Sequence, residues 1–324
     1  MTPPAILLGH ADLERLLEPR ALLEELRAAL IAYDGVPAPR GQRPWSPIPS
    51  AAKHSVAVVF PGLVPGIPAY TVKINAKLPD ARPSVRGLIA LMDLETGALL
   101  AVMDSVVITR LRTALVGALA AQALARKQVR SVAVIGAGVQ GRAQLRALRM
   151  VRDFRSVQVF DSHPANAAAL ISELRDEFAV PMTMARAVRE AVRDADVVIT
   201  CTWATSPIVL DDMIAKGTHI TAVGADAPGK AELDAALIRR SRFVCDDIDL
   251  AVDMGAVAGA GLGREAVHGT LGAVLAGKTP GRSSEDEITV FGSVGLPCQD
   301  LPAAWMAYRR ASTNPDATFS FHGA

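Results

Sequence analysis

The stretch "VAVIGAGVQGRAQ", Val132 to Gln144, limits the folds open to this chain more than any other. An apolar run that reads as a buried strand passes into a helical pattern through Gly136, Gly138 and Gly141, in the spacing G-x-G-x-x-G. At such a turn the first glycine permits the tight bend and the second lets backbone approach a pyrophosphate. The third allows close helix packing, and the helix N-terminus favours the phosphate charge. The spacing alone is weak, because an ordinary strand-to-helix turn can use glycines too. Its context is stronger. A second strand, Val157–Phe160, ends at Asp161, 25 residues after Gly136. That is close to the spacing of an acid gripping the adenosine ribose hydroxyls. Dinucleotide binding is therefore expected. A carboxylate there repels a 2′-phosphate, so NAD is expected as cofactor, with NADP as the alternative because Ser162 and His163 can soften the preference.

Apolar runs and helical patterns alternate along this part of the chain. Strands are expected at Ser131–Ile135, Val157–Phe160, Pro181–Met184, Val197–Cys201, His219–Val223, Phe243–Cys245 and Ile288–Phe291. With helices between them, the fold class is α/β, a Rossmann-type doubly wound parallel sheet. The earlier segment has another texture. From Val36 to Ala101, short runs such as "HSVAVVFPGL" and "AYTVKINAKL" are broken by Pro and Gly, as in a mostly antiparallel sheet. Residues 11–32 read as an amphipathic helix broken at Pro19, and a long helix is expected from Thr109 to Arg126 with Thr109 as N-cap. Half the residues are hydrophobic, so the core needs neither disulfides nor a metal.

Charge is nearly balanced, with 34 basic and 33 acidic residues, which leaves no excess to neutralise a nucleic-acid backbone. Cys201, Cys245 and Cys298 are far apart and make no metal-ligand spacing; so sparse a set suits a reducing compartment, and cytoplasm is expected. The histidines form no ligand pair at helical spacing, and neither G-x-S-x-G nor H-E-x-x-H occurs. No metal and no serine nucleophile are expected. The N-terminus lacks the features of a signal peptide. The Ala-rich stretch from Ala114 to Ala125, between Arg112 and Arg126, is too short to span a bilayer, so no membrane partner is expected.

Four residues invite a chemical reading beside a plain one. Asp226, in "ITAVGADAPGKAELD", stands at the mouth of a strand and either caps a helix starting near Glu232 or moves protons. Arg112, with Thr113, falls in the first turn of the long helix, against the helix dipole. It either holds an anion or is simply solvated. Lys73, in an apolar run, and Arg43, in the loop "PRGQRPW", each read more readily as surface than as site. With Arg112 they would make a carboxylate-binding cluster, but sequence alone does not bring them together.

The segments "YTVKINA", "ITRLRTALVGALAAQALA", "VAVIGAGVQG", "DVVITCTWATSP", "HITAVGADAPGKAELD" and "ITVFGSVGLPCQD" together resemble the ornithine cyclodeaminase/mu-crystallin family along nearly the whole chain. The resemblance implies an NAD(P)-binding Rossmann domain, residues 115–298, and an α+β substrate-binding and dimerisation domain, residues 1–114 and 299–324. A homodimer also fits the sheet-rich N-terminal region, whose uncovered strand edges would be an aggregation hazard in a monomer. By resemblance, Arg43, Lys73 and Arg112 bind the substrate α-carboxylate, Lys73 is also catalytic, and Val294 lines the substrate pocket. Arg112, Thr113, Val139, Gln140, Asp161, Thr202, Gly224 and Ser293 face the cofactor, and Asp226 is the acid/base.

The implied activity is that of an NAD(P)-dependent oxidoreductase acting on the C–N bond of a small α-imino or α-amino acid. Foremost is reduction of a cyclic ketimine such as Δ1-pyrroline-2-carboxylate. Alanine dehydrogenase and ornithine cyclodeaminase are the alternatives, and a crystallin-like nucleotide binder is the non-enzyme one. Keeping Asp226, Lys73, Arg43 and Arg112 together speaks against a pure binder. One departure bears on substrate. Where cyclodeaminases carry a glutamate for the far amine of ornithine, this chain aligns Val58, and no acid lies between Arg43 and Phe60. A distal ammonium would be buried there without a partner.

Overall fold

A computed structural model describes residues 4–36, 45–48, 55–311 and 317–319 of the chain. The chain divides into two compact units, Met1–Arg112 with Leu296–Ala324, and Thr113–Gly295.

In Thr113–Gly295 the principal sheet has eight strands in the order Gly269–Thr270, Arg242–Cys245, Thr289–Gly292, His219–Ala222, Val197–Thr200, Ser131–Ile135, Ser156–Phe160, Met182–Met184. All neighbours are parallel. The central strands are buried on both faces and mostly apolar, and every residue of "VVIT" (Val197–Thr200) is buried. All seven expected strands are present to within one residue at each end. Strand order reverses where Ser131–Ile135 lies beside Val197–Thr200, and open α/β sheets bind ligands beyond the carboxyl ends at such a reversal. A small parallel pair, Thr205–Val209 with Ala231–Leu233, was not expected. It makes Glu232 a strand residue rather than the start of a helix.

The other unit holds a seven-stranded sheet in the order Thr318–Phe319, Ala5–Leu8, Leu99–Asp104, Val85–Asp93, Ala69–Lys77, Val56–Gly62, Trp45–Pro47. Only Ala5–Leu8 beside Leu99–Asp104 is parallel. Pro19 opens the second N-terminal helix, Pro19–Tyr33, where its missing N–H costs nothing. Helix Asp300–Ala311 packs on strands Ala69–Lys77 and Val85–Asp93.

The long helix runs Ser105–Leu124, one turn earlier than expected. Asp104 Oδ1 accepts the Val106 N–H at 2.7 Å, while Thr109 lies inside the helix and donates its hydroxyl to Ser105 O at 2.6 Å. Arg112 and Thr113 therefore sit two turns in, beyond the reach of the N-terminal dipole. The dipole argument for an anion at Arg112 does not hold. The earlier start also makes a 20-residue helix, long and apolar enough to cross a bilayer. Its apolarity has another use. Most of the helix is buried within the protein, with Leu115, Leu119 and Leu124 fully enclosed.

His219, at the start of its strand, is buried and hydrogen-bonded to Thr289 Oγ1 at 2.9 Å and Thr221 Oγ1 at 3.1 Å. Burial, reinforced by the charges of Arg282 and Arg152, pushes its pKa from 6.5 to about 3. The unfolded chain takes up this proton near pH 6.5 and the folded chain does not until about pH 3. The stability His219 contributes is thus intact above pH 6.5 and is lost as pH falls towards 3, at about 1.4 kcal/mol per pH unit. Urea unfolding between pH 7 and about 4 should show a shallower fall in stability for His219→Gln than for wild type. Equal slopes would remove His219 as the titrating group.

Candidate active site

In Thr113–Gly295 the glycine-rich turn has the shape a dinucleotide needs. Gly136 has φ +101°, and a Cβ there would lie 2.6 Å from Cys201 O. Only glycine fits. A Cβ on Gly141 would lie 2.3 Å from Gly136 O, which is the close helix-to-strand approach expected of the third glycine. Gly138 is different: it precedes helix Val139–Val151, and a Cβ there would meet no protein atom within 4 Å. That open space lies before the first turn of the helix, whose N–H groups have no partner within the helix itself. Val139 is 58% exposed beside it, and the buried Gln140 Oε1 accepts no hydrogen bond from the described residues. An open cradle and an orphaned polar atom both fit a bound nucleotide.

Asp161 follows strand Ser156–Phe160 and reaches back to this turn. Its Oδ2 accepts from Ala137 N at 2.8 Å, and its Oδ1 from His163 N at 2.9 Å and Asn166 Nδ2 at 3.2 Å. The ribose-binding candidate and the glycine-rich turn are thereby held in one frame. Arg142, which the motif reading passed over, donates to the Ala137 and Gly138 carbonyls and, at 2.7 Å, to Glu173 Oε2. The Thr113 carbonyl accepts from the buried Gln144 Nε2 at 3.1 Å, tying it to the helix that opens at Val139.

Thr202 and Gly224 follow the strands Val197–Thr200 and His219–Ala222, and both donate their backbone N–H groups to Glu232. Ser293 and Val294 follow strand Thr289–Gly292. The Ser293 hydroxyl donates to Asp246 Oδ2 at 2.9 Å, and Val294 N and Gly295 N donate to the same carboxylate. Val294 is 3% exposed. Asp246 was not singled out, since a carboxylate after a strand reads equally well as a helix cap.

Asp226 does not cap a helix. The helix in question is Ala235–Arg240, and Asp234 caps it by accepting Leu237 N at 2.9 Å. Asp226 Oδ1 instead accepts from Lys230 Nζ at 2.8 Å. Lys230 also donates to Gly224 O at 3.2 Å and stands 3.9 Å from the centre of the Trp203 ring. With its side chain 26% exposed, Asp226 is reachable by a ligand yet fixed in orientation.

The Met1–Arg112 and Leu296–Ala324 unit carries a second cluster. Alternation along strand Ala69–Lys77 turns Thr71, Lys73, Asn75 and Lys77 to the buried side. Lys73 is 1% exposed and Arg112 6%, against the expectation of a surface position for Lys73 and of a helix-start position for Arg112. Lys73 Nζ and Arg112 Nε each lie 2.9 Å from one oxygen, Asp300 Oδ1, and Arg112 Nη1 lies 2.7 Å from Gln299 Oε1. Burial raises the Asp300 carboxyl, but the charges of Arg112 and Lys73 outweigh it and hold the pKa below 3.8. Two cations sharing one ionised carboxylate leave the three groups with a net positive charge, complementary to a second carboxylate. Val58, opposite Asn75 in register, is buried. Arg43 lies outside the described residues. Among the described residues no group of three or more His, Cys, Asp or Glu could hold a metal.

Residues 54–314 match the ornithine cyclodeaminase/mu-crystallin family. An alanine dehydrogenase of Archaeoglobus fulgidus is 40% identical over 233 residues, 71% of each chain. Among solved structures, an archaeal alanine dehydrogenase dimer with bound NAD superposes with TM-score 0.88 at 32% identity, covering 99% of this chain and 100% of that one. The Δ1-pyrroline-2-carboxylate reductase of Thermococcus litoralis, in complex with NADH and L-proline, gives TM-score 0.89 at 30% identity and covers 97% of this chain and 99% of that one.

Proposed function

The chain belongs to the ornithine cyclodeaminase/mu-crystallin family, and from that premise we propose that it is an NAD-dependent reductase of small α-imino acids. Its foremost substrate is a cyclic ketimine of the Δ1-pyrroline-2-carboxylate kind. The observation that carries this is the convergence of Lys73 and Arg112 on a single Asp300 oxygen, a buried arrangement suited to a substrate carboxylate. The unit Thr113–Gly295 takes the cofactor. The turn Gly136–Gly141 and the helix N-terminus after it receive the pyrophosphate, and Asp161 receives the adenosine ribose. Bound NADH supplies a hydride to the imine carbon. Asp226 supplies the proton at the substrate nitrogen, directly or through water, and takes it back in the reverse direction. Lys230 keeps the Asp226 carboxylate in one orientation.

Val58 disfavours ornithine, because a buried aliphatic side chain cannot satisfy a distal ammonium. Alanine dehydrogenation is the second reading, favoured by the 40% identity to the Archaeoglobus enzyme. Nicotinamide absorbance with Δ1-pyrroline-2-carboxylate, then pyruvate plus ammonia, then ornithine separates the cases. Inertness towards all three would overturn the proposal. Cys201, Cys245 and Cys298 are all free thiols, which supports a reducing, cytoplasmic setting.

The substrate-binding unit is also the basis of a homodimer. What calls for a partner is a face of its sheet rather than an edge. Val59, Ile74 and Leu88 stand in register on three neighbouring strands and are 39%, 48% and 39% exposed. A second copy across a two-fold axis would bury this row, an isologous contact. Ile74→Arg, placing a charge at its centre, should give a monomer by light scattering at micromolar concentration, where the wild type is a dimer. A monomeric wild type would count against the assembly.

A further inference from the structure

We propose that Glu232 is a positioning residue for the nicotinamide half of the nucleotide site, an inference that rests on the cofactor reading above. Glu232 lies in the short strand Ala231–Leu233 and is 0% exposed. Its carboxylate meets the chain just past the ends of two adjacent parallel strands, Val197–Thr200 and His219–Ala222. Oε1 accepts from the Thr202 backbone N–H at 2.7 Å and the Thr202 hydroxyl at 2.8 Å. Oε2 accepts from the Gly224 N–H at 2.9 Å and the Thr200 hydroxyl at 2.8 Å. One side chain thus joins the two loops that carry Thr202 and Gly224. The packing there has no slack: a Cβ on Gly224 would lie 2.3 Å from Glu232 Oε1 and 2.5 Å from Thr202 O.

Burial pushes the Glu232 carboxyl above its ordinary range, against the lowering effect of these hydrogen bonds. A buried carboxylate is a costly filler where an apolar side chain would serve. What an apolar side chain cannot do is accept from two backbone N–H groups on different loops. In a doubly wound sheet the half that begins at Ser131–Ile135 takes the adenosine end. The half that begins at Val197–Thr200 takes the other nucleotide. Among the described residues the hydrogen bonds of Glu232 all go to the second half, and Asp161 and the glycine turn belong to the first.

The isosteric Glu232→Gln is a sharp probe because each oxygen faces one backbone donor. Whichever way the amide is turned, its NH2 points at the N–H of Thr202 or of Gly224, and one loop must be released. NADH should bind to Glu232→Gln about tenfold or more weakly than to wild type. ADP, which needs only the first half and the pyrophosphate turn, should bind the two proteins equally, measured by calorimetry. Unchanged NADH affinity overturns the proposal, and so does an equal loss for ADP and NADH, which would mean a general structural role. Wild-type protein that binds ADP but not NADH or NAD would remove the cofactor reading itself. Should the variant not fold, hydrogen exchange on the unliganded wild type decides. The Thr202 and Gly224 amides should exchange as slowly as those of the adjoining strands, and exchange at loop rates overturns the anchoring role.

Discussion

Asp226→Asn should fold, bind NADH and turn over at least about a hundredfold more slowly than wild type, the usual cost of losing a general acid or base. The change keeps the shape of the side chain and removes its capacity to carry a proton. Because Asp234, not Asp226, caps the following helix, no cap is lost. The asparagine carbonyl can still accept from Lys230, so the local frame, with Lys230 over Trp203, is expected to persist. Thermal unfolding and steady-state rate are read on the same preparation, with whichever imino or amino acid proves active. An Asn variant with wild-type turnover would move the proton-transfer role elsewhere, to Lys73 first.

The second large effect is on stability. Asp300→Ala leaves Lys73 and Arg112 close together in the interior without the carboxylate they share. Removing one partner of a buried ionic group costs about 3–5 kcal/mol, far more than the intact group contributes, because the remaining charges stay desolvated. A large drop in the urea midpoint is therefore expected, together with loss of substrate binding. Acid should imitate the mutation in wild type. The folded carboxyl is held below 3.8, so its contribution is present above that pH and is lost as pH falls through the lower, folded value. A variant as stable as wild type would show that Asp300 is not what permits the two cations to be buried.

Much of this protein can be read locally. The parallel sheet is legible because a strand covered on both faces is apolar along nearly its whole length, and "VAVI" and "VVI" are. The glycine turn is legible because its demands, a left-handed Gly136 and a bare Gly141, fall within six residues. The start of the long helix was misplaced for a related reason. "AVMDSVV" continues the apolar pattern of strand Leu99–Asp104 straight into the helix, and Asp104 belongs to the strand while also capping. Periodicity could not find the break.

The amino-acid sequence by itself determined the fold class, the glycine-rich turn and the place of Asp161 at the end of the next strand, since each depends on neighbours along the chain. The tertiary structure alone decided which charges are buried and what they hold. Lys73 and Asp300 are 227 residues apart, so nothing near "VKINA" announces that its lysine is enclosed. The same holds for Glu232, whose strand lies between a proline–glycine loop and a helix cap, and whose work is done on Thr202, 30 residues away. A charge enters the interior only where partners from distant segments meet it, and that meeting is a property of the folded chain.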